Sequence, residues 1–198
     1  LILNFGDNTL SEENVEKCFY LALLNNKMRI VTFIENNYAV KLVNTHTLCR
    51  YAEQVAYKGF DEAFNYYLKI IGAHYGSVSS LLLIDSFLKA VNNEKYEFAK
   101  CIEERMPKIF EHEYAINKIN SLFDKNIPSD AKTSEKYLTM FRYFLSKEDY
   151  PKSSSVHSKI YLYSCTNKLY DMISLLEDEV SEFCHKRKNG NVTAYYKN

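Results

Sequence analysis

An all-α fold, a helical-repeat solenoid of about five antiparallel helix pairs, is what this sequence predicts, and three observations carry that expectation. Residues 90–104 read AVNNEKYEFAKCIEE, two short helices joined by a tight polar turn. Similar segments start at Ala22 and Ala56, so that alanines 22, 56 and 90 stand 34 residues apart. Apolar residues recur at helical spacing, as in Val15, Cys18, Phe19 and Ala22 at i, i+3, i+4 and i+7. Finally, five glycines and three prolines in 198 residues are too few for the hairpin turns of a β-sandwich or barrel.

Taken in order, Ser11 is a predicted N-cap whose hydroxyl satisfies an orphan amide of the first turn. Asn25 and Asn26 break the first helix. Met28, Ile30, Val31 and Ile34 carry the second, which stops at Asn36 and Asn37. A second pair is expected over 47–58 and 61–71, with Gly59 as a left-handed cap and Gly72 closing the pair. A third pair is expected over 79–91 and 94–105, ended by Pro107. A shift of 34 superposes Ile30 on Phe64 on Phe98, Ile34 on Leu68 on Ile102, and the turn residues Asn25, Gly59 and Asn93.

Beyond Arg105 the register slips. One helix is expected to carry Ile109, Phe110, Ile116, Ile119 and Phe123, followed by a polar loop over 124–133 that holds Pro128. Another is expected to follow the N-cap Ser134 with Leu138, Phe141 and Leu145, and a second loop holds Pro151 and serines 153–155. The pattern returns at Ser164 (SCTNKLYDMISLLED), Asn167 matching Asn93 and Leu176 matching Ile102, and the last helix is expected to run to Cys184. The domain reading is one array over 1–187 with a flexible tail over 188–198. The chain opens on Leu1 rather than Met, which reads as a fragment or a processed product.

Residues 90–104 resemble the second half of an ankyrin repeat, roughly AAxxGHxEIVKLLLE, with Ala90, Asn93, Glu97, Phe98, Lys100 and Ile102 on equivalent or similar positions. Residues 22–36 and 164–178 align in the same way, and residues 1–8, LILNFGDN, resemble the end of a preceding repeat. The tetratricopeptide pattern fails, because Asn93 and Ile102 stand where it needs Tyr and Ala. The TPLH turn of a standard ankyrin repeat is absent, and residues 40–43 suggest extended loops in place of β-hairpin fingers. Degenerate arrays of this kind are similar to those of large DNA viruses, including the multigene-family proteins of African swine fever virus and the poxviral ankyrin proteins.

That resemblance implies a non-enzymatic module that binds a protein partner through the concave face of its inner helices, the partner being a host signalling protein. With a step of 34, Tyr20, Gln54 and Leu88 form one column there, and Leu24, Lys58 and Asn92 another; these six are the candidate contact residues. Two alternatives stay open, a self-associating all-α scaffold and an enzyme domain with dispersed catalytic residues. No catalytic, cofactor or metal site is expected: the five histidines lack ligand spacing, and no phosphate loop or GxSxG occurs. Lys plus Arg equals Asp plus Glu, 25 against 25, which gives no field for nucleic acid or an anionic membrane. Five cysteines without a CxxC read as packed thiols of a reducing compartment, the cytoplasm, with Lys186, Arg187 and Lys188 as an alternative nuclear signal. No stretch is long and apolar enough to span a bilayer.

Overall fold

A computed structural model of the protein describes residues 11–127, 135–151 and 155–179. Among them lie ten α-helices and no strand: α1 (Glu12–Leu24), α2 (Met28–Asn37), α3 (Thr45–Lys58), α4 (Asp61–Tyr75), α5 (Ser80–Asn92), α6 (Tyr96–Arg105), α7 (Glu113–Asn126), α8 (Glu135–Leu145), α9 (Ser155–Asn167) and α10 (Tyr170–Glu179). The chain divides between Met106 and Pro107 into two compact units, and the slip in the 34-residue register falls at that boundary.

Polar side chains start the helices by taking the first free amides. Ser11 accepts from the Asn14 N–H, Asn44 Oδ1 from Thr47 at 3.0 Å, and Ser79 Oγ from Leu81 at 3.2 Å. One turn joins the helices of each hairpin. The N–H of Lys27 donates to the Ala22 carbonyl, Phe60 to Val55, Lys95 to Ala90 and Leu169 to Ser164, at 2.8 to 3.0 Å, and the preceding amide donates three residues back each time. This is the Schellman arrangement, and it needs one left-handed residue. Asn26, Gly59, Glu94 and Lys168 supply it with φ of 53, 72, 60 and 57°.

That turn corrects the register read from the sequence. The left-handed residues stand 33 and 35 residues apart, not 34 and 34, so the middle hairpin shifts by one position. Asn25, Asn93 and Asn167 precede the left-handed position. Their amide groups instead donate to the carbonyls of Leu21, Lys89 and Tyr163, four residues back. Tyr67, not Leu68, therefore shares a position with Ile34 and Ile102, and all three are buried.

Several expected boundaries move for local reasons. Gly72 does not close the second pair: α4 continues through it to Tyr75, and Gly76, at φ 81°, caps the end. Residues 72–76 are thus a helix end, not the whole of a turn between pairs. Ile109 and Phe110 belong to a separate 3-10 turn, Ile109–Glu111. There His112, in extended backbone, starts α7 by accepting the Tyr114 N–H on Nδ1 at 3.3 Å. The proposed cap Ser134, Pro128, Cys184, His185 and the basic run 186–188 lie outside the described residues.

In the N-terminal unit α1, α3 and α5 lie side by side, and each carries its hairpin partner α2, α4 or α6. Leu23, Leu48, Ala52, Val55, Ile84, Phe87 and Val91 fill the space between them without exposure. In the C-terminal unit α9 packs on α10, α7 on α9 and α8 on α10. Its centre is ring-rich: Phe123 meets Tyr137, Phe141 and Phe144 with centroids 4.7 to 6.2 Å apart. Cys18, expected on an apolar face, is exposed, and Ile30 is 50% exposed.

Candidate functional site

With the turns superposed, α1, α3 and α5 present one common face. Lys17, Arg50 and Asp85 occupy one position along it; Leu21, Gln54 and Lys89 a second; Leu24, Tyr57 and Asn92 a third. Three large apolar side chains are uncovered on these helices, Leu21 at 59%, Tyr57 at 53% and Leu81 at 46% exposure. Charge surrounds them. Lys17 pairs with Glu13 at 2.6 Å, and Lys89 of α5 pairs with Glu53 of α3 across the helix row. Such exposed pairs add little stability, but they fix the polar pattern of the face.

The six residues chosen from the sequence separate here. Gln54 and Lys58 are exposed, and Leu24, Leu88 and Asn92 are half-buried. Tyr20 does not face outward. It is buried, its ring lies 5.2 Å from Phe19 and 5.5 Å from Tyr51, and its hydroxyl accepts the Val43 N–H at 3.0 Å. Burial, the largest cause, raises its pKa. Lys58 turns back to α1, where its Nζ donates to the Leu24 carbonyl at 2.7 Å and satisfies a free helix end. The one-residue shift explains the mixed result. A step of 34 pairs Tyr20 with Gln54 and Leu24 with Lys58, while the fold pairs them with Glu53 and Tyr57. Aligning Gly59 with Asn26 and Glu94, instead of with the neighbouring asparagines, would have found Tyr57.

A second feature is an open cleft of about 300 Å³ between the first two hairpins. Phe19 lines it together with Tyr38, Val40 and Leu42 of the extended connection after α2, and Tyr66, Ile70 and His74 of α4 stand opposite. The Tyr66 hydroxyl donates to Glu35, bridging α2 and α4. Burial and then the neighbouring carboxylate push the Tyr66 pKa well up. The cleft holds one carboxylate, already hydrogen-bonded, and one exposed histidine, an arrangement suited to packing an apolar side chain.

The remaining histidines do not converge. His46 is exposed, His112 caps α7 and His157 is buried in the C-terminal unit. Among the described residues no group of three His, Cys, Asp or Glu is placed to hold a metal ion, and no helix is long and apolar enough to cross a membrane. Compared with protein-family models, curated proteins and solved structures, the chain matches none.

Proposed function

We propose that this chain is a protein-interaction module, a divergent ankyrin-like array of stacked helix hairpins that binds a protein partner through the face of α1, α3 and α5. The observation that supports it is the uncovered set Leu21, Tyr57 and Leu81 on three adjacent helices, ringed by Lys17, Arg50, Glu53 and Lys89. Apolar anchors inside a polar rim are what a protein interface uses. A tyrosine there combines large contact area with a hydroxyl that can hydrogen-bond. The resemblance to viral ankyrin-like proteins extends the reading: the partner is a host signalling protein, met in the cytoplasm.

The test is proximity cross-linking in host cells with the wild type and with a Leu21→Asp, Tyr57→Asp, Leu81→Asp triple variant. A partner enriched by the wild type and lost with the triple variant, whose circular dichroism is unchanged, supports the assignment. An enrichment profile identical for both proteins would sink it.

A further inference from the structure

The cleft between the first two hairpins holds a charge and a stretch of backbone that the described residues leave without partners. Among them, Glu35 is the one carboxylate at the cleft, and no lysine or arginine lines it. Glu35 Oε1 accepts from the Tyr66 hydroxyl, while Oε2 has no partner among the described residues. The rings of Phe19, Tyr38 and Tyr66 line the same cleft, with the Phe19 and Tyr66 centroids 6.1 Å apart. Aromatic faces carry partial negative charge, so rings and carboxylate together favour a cation. The backbone in question is residues 39–43. It runs between extended ends, Tyr38 at φ −140° and ψ 145° and Asn44 at φ −61° and ψ 158°. Val40 and Leu42 line the cleft while Ala39 and Lys41 are exposed, the alternation of a strand. Of the backbone groups of residues 39–43, only the Val43 N–H is bonded to a described residue, the Tyr20 hydroxyl.

We propose that this cleft receives a basic side chain, lysine or arginine, from an extended peptide segment of a protein partner. The aliphatic stem lies on Val40, Leu42 and Ile70, since such side chains bury the stem and keep the charged head in water. The head donates to Glu35, which is exposed, beside the three rings. The peptide backbone pairs along residues 39–42, whose N–H and C=O groups form the open edge that strand addition uses. A purely apolar side chain would cover the carboxylate without supplying a cation, and an acidic one would meet it with like charge. This site is separate from the partner face of α1, α3 and α5 and stands or falls without it.

The test is amide chemical-shift titration of the isotope-labelled chain with a capped peptide, Ser-Thr-Val-Lys-Val-Thr-Ser, with the same peptide carrying norleucine in place of its lysine, and with butylamine. The lysine peptide is expected to shift the amides of residues 38–43 and of Tyr66, Ile70 and His74 saturably, and added salt to weaken it. Norleucine keeps the stem and removes the charge; Glu35→Gln removes the carboxylate charge and still accepts from Tyr66. Each change is expected to weaken binding about fivefold, the size of an exposed charge contact, with circular dichroism of the variant unchanged. A control, Glu97→Gln, at an exposed site of α6, is expected to bind as wild type. The absence of saturable shifts at residues 38–43 overturns the proposal, as it would if the cleft were filled from within the chain. So does a norleucine peptide that binds equally well, which would make the site purely apolar, or butylamine binding as tightly as the peptide, which would make it a small-amine site. An affinity that Glu35→Gln leaves intact overturns it as well.

Discussion

In the N-terminal unit three hairpins close on one backbone turn, with Lys27, Phe60 and Lys95 each donating to the carbonyl five residues back. In the C-terminal unit the same turn occurs at Leu169, but the centre is a web of rings in which Phe110, Phe123, Tyr137, Phe141, Phe144, Tyr150 and His157 touch one another. The first unit spreads its order over short, local hydrogen bonds, small or aliphatic contacts such as Ala52, Ala56 and Val91, and separate ring contacts such as Phe19 with Tyr66 and Phe64 with Phe98. The second concentrates it in a few large side chains far apart in sequence. Substitutions should thus act differently in the two units, and hydrogen exchange followed by mass spectrometry can read each unit separately.

The largest effect is expected from Phe123→Ala. This ring is 0% exposed and contacts three others. Its removal should cost about 3–5 kcal/mol in the C-terminal unit, with protection of α1 to α6 unchanged. An equal loss in both units would show that they unfold together.

Next comes pH. Burial lowers the His157 pKa to about 4, against an ordinary 6.5. The folded form keeps this imidazole neutral, while the unfolded chain takes up a proton below 6.5. The contribution is therefore fully present above pH 6.5 and is lost as pH falls towards 4, a loss of about 3 kcal/mol for a 2.5-unit difference. Denaturant titrations at pH 7.5 and 4.5 should show this loss in the C-terminal unit. His157→Leu should reduce the pH dependence there by the same amount; an unaltered acid slope in that variant would assign the loss to other groups.

A smaller effect, opposite in sign, is expected from the hydroxyls of Tyr137 and Tyr150. Both are buried and make no hydrogen bond with the described residues, and burial drives both pKa values up. Tyr137→Phe or Tyr150→Phe should raise stability by about 1 kcal/mol, since each removes a polar group held away from water without a partner. A destabilisation of that size on thermal denaturation would mean that the hydroxyl is bonded.

The smallest pair sharpens the comparison of turns. Gly59→Ala places a Cβ at φ 72°, with Lys95 side-chain carbons 3.2 Å away. It should cost about 1 kcal/mol in the N-terminal unit. Lys168→Gly, at φ 57°, should gain somewhat less than 1 kcal/mol in the C-terminal unit. If both changes proved neutral by calorimetry, strain at the left-handed residue would not be what sets these turns.

Much of this architecture was legible from local chemistry. Ser11 announced a helix start, Gly59 a left-handed cap, and apolar spacing the helices on each side. The face of α1, α3 and α5 was legible only in part. Gln54 lies on it, while Tyr20, one residue before the exposed Leu21, lies inside, because a helix turns about 100° per residue and a one-position error moves a side chain to another face. Tyr57 was missed for that reason. The exposure of Ile30 and Phe33 was hidden too, because an apolar residue at core spacing looks the same in sequence whether or not a neighbouring hairpin covers it.

What the sequence by itself determined is the all-helical character, the pairing of helices by short turns and the recurrence of one helix–turn–helix unit. Caps, turns and periodicity depend on residues within a few positions of each other, so they can be read directly. What only the tertiary structure decided is the true step between turns, 33 and then 35 residues, the inward turn of Tyr20, the division at Met106, and which apolar side chains are left in water. These depend on contacts between distant residues, where a single-residue difference in helix or loop length, invisible to a fixed period, changes which side chains meet.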